Sequence, residues 1–198
     1  MPIPKTPRFK TLIKFMQKRL PDKKARHSLG AAEYLLSLAP KIGLDEEKAV
    51  TAGLLHDICR AYKDEKILRR AIEYGIPLTE IEYAKPNLLH GPVAAEESRR
   101  ELGILDDDVY EAIYWHTTGR PGLGLLGLGL YLADFAEPHR KYEEADEARR
   151  LVEEEGFPKG LCYTARMKVH FFRDKHVAAP IAQEFLRWIE KEYGDAPA

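Results

Sequence analysis

The residues with chemistry to offer are histidines and aspartates set among apolar neighbours. In "AGLLHDIC", His56 and Asp57 stand directly behind Leu54 and Leu55 and in front of Ile58 and Cys59. A carboxylate in such surroundings is expected to be buried, and burying it without a partner is costly. Asp134 poses the same problem in "LGLYLADFAEP", between Leu132, Ala133, Phe135 and Ala136. Two such carboxylates need arginines, protonation or a metal ion to compensate them. Of the seven histidines, His27, His56, His90 and His116 each fall on or at the end of a separate expected helix. Inward-facing ligands on separate helices are how helical bundles build metal sites. His56 and Asp57 diverge by about 100° round a helix axis. A reaching imidazole and a short carboxylate can still converge on one ion, leaving the second oxygen of Asp57 to bridge to another.

Plainer readings stand beside this one. Any single histidine fits a hydrogen-bonded core or helix-end role, and Asp57 or Asp134 alone fits as an arginine's partner. Cys59 reads as a small core residue. The run "GLGLLGLGL" reads as close helix packing, because it lacks the lysine and Ser/Thr of a phosphate-binding loop. His139, His170 and His176 lie in charged surroundings and are expected to face solvent. The metal reading rests on joint occurrence: an adjacent His-Asp pair, three more helix-associated histidines and a second apolar-flanked aspartate.

Helices must position these groups, and helical punctuation is abundant. Asp22 is expected to cap a helix through "KKARHSLGAAEYLLSLA", ending before Pro40. Asp45 opens "EEKAVTAGLLHDICRAY", and Asp64 opens "EKILRRAIEY", which Gly75 closes. His90-Gly-Pro starts a helix that runs to Gly103, with Pro92 tolerated in the first turn. Asp106 to Asp108 open "VYEAIYWH", which "TTGRPG" breaks. A helix through "LLGLGLYLADFAE" stops at Pro138. "DEARRLVEEEG" and amphipathic stretches around 159–176 and 179–193 finish the chain. No segment alternates with period two, and no hairpin dipeptide occurs. The fold class is therefore all-α.

The bulk properties narrow the function classes. At 198 residues one domain with a substantial core is expected. Lys plus Arg (31) balances Asp plus Glu (32), so no global basic field points to nucleic acid. "MPIPKTPRFK" has no apolar stretch of a signal peptide, and the apolar run Leu123 to Ala133 is too short to span a bilayer. Two distant cysteines, Cys59 and Cys162, suggest a reducing, cytoplasmic setting without disulfides. Asn87, Gln17 and Gln183 are the only side-chain amides beside many charges, a bias typical of heat-adapted proteins.

Longer strings extend the histidine and aspartate pattern: "RHSLGAAEYLLSLA", "AGLLHDIC", "LLHGPVAA", "YWHTTGRPGLGLL" and "LYLADFAEPHR". With His27, His56-Asp57 and Asp134 in that order, the chain resembles the HD-domain metal-dependent phosphohydrolases. Within them it is similar to the YqeK-type branch, the symmetrical diadenosine tetraphosphatases of bacteria. The resemblance runs from about Arg26 to Arg140 and weakly onward. It implies one HD-domain helical bundle over 1–198, with helices over 145–193 packing on the core. It also implies a metal site in the bundle core that is binuclear and commonly holds iron. His27, His56, Asp57 and Asp134 would hold one ion; Asp57 would bridge to a second, held also by His90 and His116. Four imidazoles agree with transition metals over magnesium or calcium, leaving manganese, cobalt, nickel or zinc as other occupants.

The activity implied is hydrolysis of dinucleoside polyphosphates, diadenosine tetraphosphate to two ADP, by a metal-bridged hydroxide. Thr117, Thr118 and Gly119 follow His116 and offer hydroxyls and flexible backbone to the substrate. Arg60, Arg120 and Arg140 flank the same region with forks suited to phosphate oxygens, although each alone fits a surface ion pair equally. Asp57, Thr118 and Arg120 are expected to act in the chemistry itself. The chain departs from the family where Arg60 replaces a frequent lysine and His139 a frequent asparagine, which leaves fine substrate preference open. Guanosine-tetraphosphate hydrolases carry an acidic pair where Arg60 and Ala61 stand, and the "HHE" and "GYP" strings of cyclic-dinucleotide phosphodiesterases are absent. A nucleoside monophosphatase is the enzymatic alternative, and a non-catalytic nucleotide-binding metal protein the other. The partners expected are a small nucleotide, no nucleic acid and no membrane, with a homodimer left open.

Overall fold

The computed structural model describes residues 1–175, 177 and 179–194. Eleven α-helices follow one another, and no strand occurs among the described residues. The first, α1 (Pro7–Arg19), lies where the sequence reading places nothing. The Thr6 hydroxyl accepts from the Phe9 N–H at 3.1 Å, Pro7 takes the first turn, and Phe9, Leu12 and Met16 form the buried stripe.

Next comes α2 (Asp22–Ile42), which continues through Pro40 instead of ending before it. A proline near a helix end forfeits one backbone bond without having to terminate the last turn. The turn closes on Gly43, whose φ of 73° lets its N–H return to Ala39 O. Asp22 occupies the first turn, with Pro21 as the cap.

Asp45 caps α3 (Glu46–Leu55) as expected, its side chain accepting from Lys48 N at 2.8 Å. The expected extension of that helix to Tyr62 is corrected: it stops at Leu55. His56 Nδ1 donates to Gly53 O at 2.8 Å and competes for the carbonyl that the Asp57 N–H needs in a continuing helix. The chain leaves in tighter turns, with Arg60 N bonded to Asp57 O at 2.8 Å and Tyr62 N to Cys59 O at 3.0 Å.

Beyond the turn lie α4 (Asp64–Glu73) and the short α5 (Glu80–Ala84), which the sequence reading leaves out, and a single 3₁₀ turn over Pro86–Leu89. Then follow α6 (His90–Leu102), α7 (Asp107–Trp115) and α8 (Leu125–Ala136), with Asp106 capping α7 and Gly103 closing α6 at φ 64°. The chain finishes with α9 (Glu143–Glu154), α10 (Phe157–Asp174) and α11 (Pro180–Tyr193).

α8 is the central helix, and its sequence explains why. Apolar or small residues occur on every side, so it can be buried all round. Leu126, Leu130 and Ala133 join the core formed with α1 to α4, α6 and α7. Leu128, Tyr131, Leu132 and Ala136 join a second cluster with Ala148 of α9, Leu161 of α10 and Phe185 of α11. Its glycines serve close packing, since a Cβ on Gly129 would lie 2.8 Å from Leu35 Cδ1 of α2. The same device joins α2 to α3, where a Cβ on Gly53 would meet Ala32 Cα at 2.4 Å. These close approaches draw α2, α3 and α8 together.

Candidate metal centre

Six side chains from five helices and one turn converge. His27 lies in the second turn of α2, His56 caps α3, and Asp57 opens the turn after it. His90 begins α6, His116 caps α7, and Asp134 lies in the last turn of α8. His56 is fully buried, and His90 and His116 nearly so.

Each histidine is held the same way. Nδ1 of His56 donates to Gly53 O at 2.8 Å, that of His90 to Asn87 O at 2.5 Å and that of His116 to Ile113 O at 2.7 Å. His27 points Nδ1 at Glu137 Oε1, 3.1 Å away. These bonds fix the tautomers and turn the Nε2 lone pairs of His56, His90 and His116 inward, the outer-shell arrangement that orients metal ligands. The Nε2 atoms converge in two pairs. Nε2 atoms of His27 and His56 are 3.3 Å apart, and those of His90 and His116 3.0 Å. Thr117 Oγ1 lies 3.2 and 3.1 Å from the second pair, but one hydroxyl proton satisfies only one of two acceptors. Imidazoles binding one ion at adjacent positions, with metal–nitrogen bonds near 2.1 Å, would be separated by about 3 Å. The donor set thus fits a cation.

Asp57 joins the two pairs. Its Oδ2 lies 3.8 Å from His27 Nε2 and 3.9 Å from His56 Nε2, while Oδ1 lies 3.2 Å from His90 Nε2 and 3.7 Å from His116 Nε2. Two groups able to hold an ion result, His27–His56–Asp57 and Asp57–His90–His116, and they share Asp57. Asp134 approaches the first pair, with Oδ1 3.1 Å from His27 Nε2 and 3.8 Å from His56 Nε2.

Electrostatics follow from this packing. Burial pushes Asp57 upward, but the surrounding imidazoles outweigh it and hold the carboxyl well below its ordinary range. Asp134 is held down against burial by Lys168 and His27. Burial lowers His56 to about 3, keeping its ring neutral and able to coordinate. His27 goes the other way: burial lowers it, yet carboxylates on both ring nitrogens raise it to about 9. Carboxylates on both ring nitrogens thus favour the protonated form of His27 while the site is without metal.

The centre forms the floor of a cleft of about 510 Å³. Arg60, Thr117 and Arg140 line it. Arg60 bonds Asn87, and Arg140 Nη2 lies 3.4 Å from Asp134 Oδ1. Arg120 is not brought to the cleft. It forks onto Glu111 Oε2 at 2.9 and 2.7 Å and lines a separate cavity with Lys48 and Asp108. Gly119 also serves another end: its φ is 67°, and a Cβ there would lie 2.2 Å from the Phe185 ring. Thr118 is absent from the cleft lining. The second half of the "TTGR" loop turns toward α11 and α7, and Thr117 is the residue of the loop beside His90 and His116.

Sequence reasoning missed Glu137 and Lys168. Glu137, 1 % exposed, orients His27, and its position three residues after Asp134 on a helix end is a legible signal. Lys168 of α10 donates to Asp134 Oδ2 at 2.9 Å and to His116 O at 2.9 Å. Nothing in "ARMKVHFF" marks it, because α10 reaches the centre only through tertiary packing. Phe135, Tyr142, Phe171 and Phe172 give the cleft an aromatic wall. His139 is exposed, and His170 is exposed and pairs with Asp174 at 3.2 Å. His176 lies outside the described residues. Cys59 is buried and its thiol donates to Glu97 Oε2 at 3.3 Å.

Comparison with known proteins agrees with this geometry. Residues 25–193 match the HD domain family. A symmetrical bis(5'-nucleosyl)-tetraphosphatase from Bacillus subtilis (strain 168) is 33% identical over 138 residues, 70% of this chain and 74% of that protein. The protein of the same description from Halalkalibacterium halodurans is 34% identical over 137 residues, covering 69% and 73%. A crystal structure of a predicted HD superfamily hydrolase involved in NAD metabolism, from Clostridium acetobutylicum, superposes with a TM-score of 0.86 at 31% identity. It spans 92% of this chain and 97% of its own.

Proposed function

The chain belongs to the HD-domain family, in its group of symmetrical tetraphosphatases, and from that premise we propose how it works: as a metal-dependent hydrolase that cuts diadenosine tetraphosphate into two ADP. The observation that carries the reading is the pair of buried triads sharing Asp57 at the floor of a cleft. His27, His56 and Asp134 would hold one divalent ion and His90 and His116 a second, with Asp57 belonging to both groups. The preponderance of imidazole favours a transition metal, with iron first and manganese, cobalt, nickel or zinc as substitutes. When bound, such a pair neutralises phosphoryl oxygens and makes water acidic enough to attack phosphorus at neutral pH.

The chain's own residues supply the rest. Asp57 is ionised at neutral pH and keeps the two ligand pairs in register. Arg60 and Arg140 stand in the cleft lining and bind the polyphosphate as planar forks. Thr117 places a hydroxyl beside His90 and His116, where it orients a phosphate oxygen. The aromatic wall of Phe135, Tyr142, Phe171 and Phe172 accepts a nucleoside, and burying a base there excludes water from the floor. ADP is a good leaving group, so positioning and charge neutralisation dominate over acid catalysis. The enzyme so described acts on a small nucleotide, not a nucleic acid, and works in the cytoplasm. No helix among the described residues is long and apolar enough to cross a membrane.

The test is a substrate panel. Metal-loaded protein is incubated with diadenosine tetraphosphate and, separately, with nucleoside monophosphates. The reading predicts kcat/KM at least 100-fold higher for the dinucleotide. The reverse ranking would establish a nucleoside monophosphatase on the same scaffold.

A further inference from the structure

Lys168 is a buried cation that the reaction described above does not use. Its residue is 9 % exposed and sits on α10, in sequence far from the strings that carry the metal ligands. The ammonium has three donors. One goes to Asp134 Oδ2 at 2.9 Å and one to the His116 carbonyl at 2.9 Å. Nζ also lies 3.9 Å from the centroid of the Tyr131 ring, which is fully buried and held edge-on by Phe185. The residue also borders the cleft, but two acceptors and a ring face occupy its ammonium there.

We propose that Lys168 is the positioning residue of the metal centre: it holds Asp134 with only one oxygen toward His27 and His56, and ties that carboxylate to the backbone that carries His116. The two oxygens of Asp134 have different partners. Oδ1 faces His27 Nε2 at 3.1 Å, and Oδ2 is taken by Lys168. A carboxylate held this way offers one oxygen to an ion, not a chelating pair. The second bond reaches the other half of the centre, because the His116 carbonyl belongs to a residue of the second triad. One cation therefore contacts both halves of the centre. Arg140 also approaches Asp134, but its side chain is 37% exposed at the rim, where substrate can draw it away. Lys168 has no such freedom.

This inference rests on the metal reading, so its test measures metal before activity. Full-length wild type, Lys168→Met and Lys168→Arg are stripped and titrated with Co²⁺, following calorimetry and the visible absorption of the bound ion. Helical content is checked by circular dichroism. Loss of an outer-shell partner lowers metal affinity by about 10–100-fold. That loss is expected in Lys168→Met, together with an altered Co²⁺ spectrum and unchanged helicity. Lys168→Arg, which keeps the charge and several donors, should bind Co²⁺ at least ten-fold better than Lys168→Met. Should Lys168→Met fail to fold, Lys168→Gln, whose neutral amide cannot replace the ammonium at both oxygens, carries the same expectation. Wild-type affinity and spectrum in Lys168→Met would overturn the proposal, and a raised KM beside unchanged metal binding would reassign Lys168 to the substrate. Wild type that takes up no Co²⁺ would refute the metal centre itself, a distinct outcome.

Discussion

Gly53→Ala separates helix propensity from helix packing and reaches the metal centre through packing alone. Gly53 lies inside α3, where alanine is intrinsically favoured by about 1 kcal/mol. Against this, its Cβ would lie 2.4 Å from Ala32 Cα and 2.8 Å from Ala32 N on α2. Carbon atoms settle at about 3.5 Å or more, so the two helices must part by roughly 1 Å. Backbone cannot rotate out of the way as a side chain can, which puts the cost near the top of the usual overpacking range, about 3 kcal/mol. The balance is a loss of about 2 kcal/mol, and for a chain of this size a fall in Tm of roughly 4–8 °C. His27 lies on α2 and His56 at the end of α3, with Nε2 atoms 3.3 Å apart. Parting these helices spreads the first ligand pair, so Co²⁺ affinity should drop at least ten-fold. Thermal unfolding of the metal-free variant and a Co²⁺ titration give both quantities. A raised Tm, or unchanged metal affinity in a destabilised variant, would refute the argument.

Further outcomes follow from the same geometry. Because His27 is raised to about 9 and His56 is lowered to about 3, loading metal at pH 7 should release about one proton, from His27. That release should vanish as pH rises through about 9, where the folded protein has already lost the proton; calorimetry in buffers of different ionisation enthalpy measures it. Asp57→Ala should retain neither ion, whereas His90→Ala should empty mainly the second position, as elemental analysis will show. Arg120→Ala should leave KM and kcat within about two-fold of wild type, since Arg120 pairs with Glu111 away from the cleft, an exposed pair worth under about 1 kcal/mol.

What the sequence made legible has a physical pattern. Asp45, Asp106, Gly43 and Gly103 mark helix ends through local backbone chemistry, and such signals survive folding. His56, Asp57 and Asp134 stand out because polar groups in apolar runs demand a partner, whereas the grouping of His27, His90 and His116 with them comes from the family resemblance. The end of α3 at Leu55 was not legible, since it depends on His56 reaching back to Gly53 O, a bond visible only when the ring is packed. Helix α1 is encoded by Thr6-Pro7 and the spacing of Phe9, Leu12 and Met16, signals as local as the caps above. Lys168 carries no local mark at all, because its partners lie 34 and 52 residues away in the chain. Arg120 shows the converse error: proximity to His116 in sequence suggested a role that Glu111 claims instead.

Hydrolysis in oxygen-18 water distinguishes a symmetrical cut at the centre built around Asp57 from cleavage elsewhere along the polyphosphate. Metal-loaded protein with diadenosine tetraphosphate should yield ADP alone, with one of each two ADP molecules labelled at its terminal phosphate. ATP with AMP among the products, or label in AMP, would contradict it.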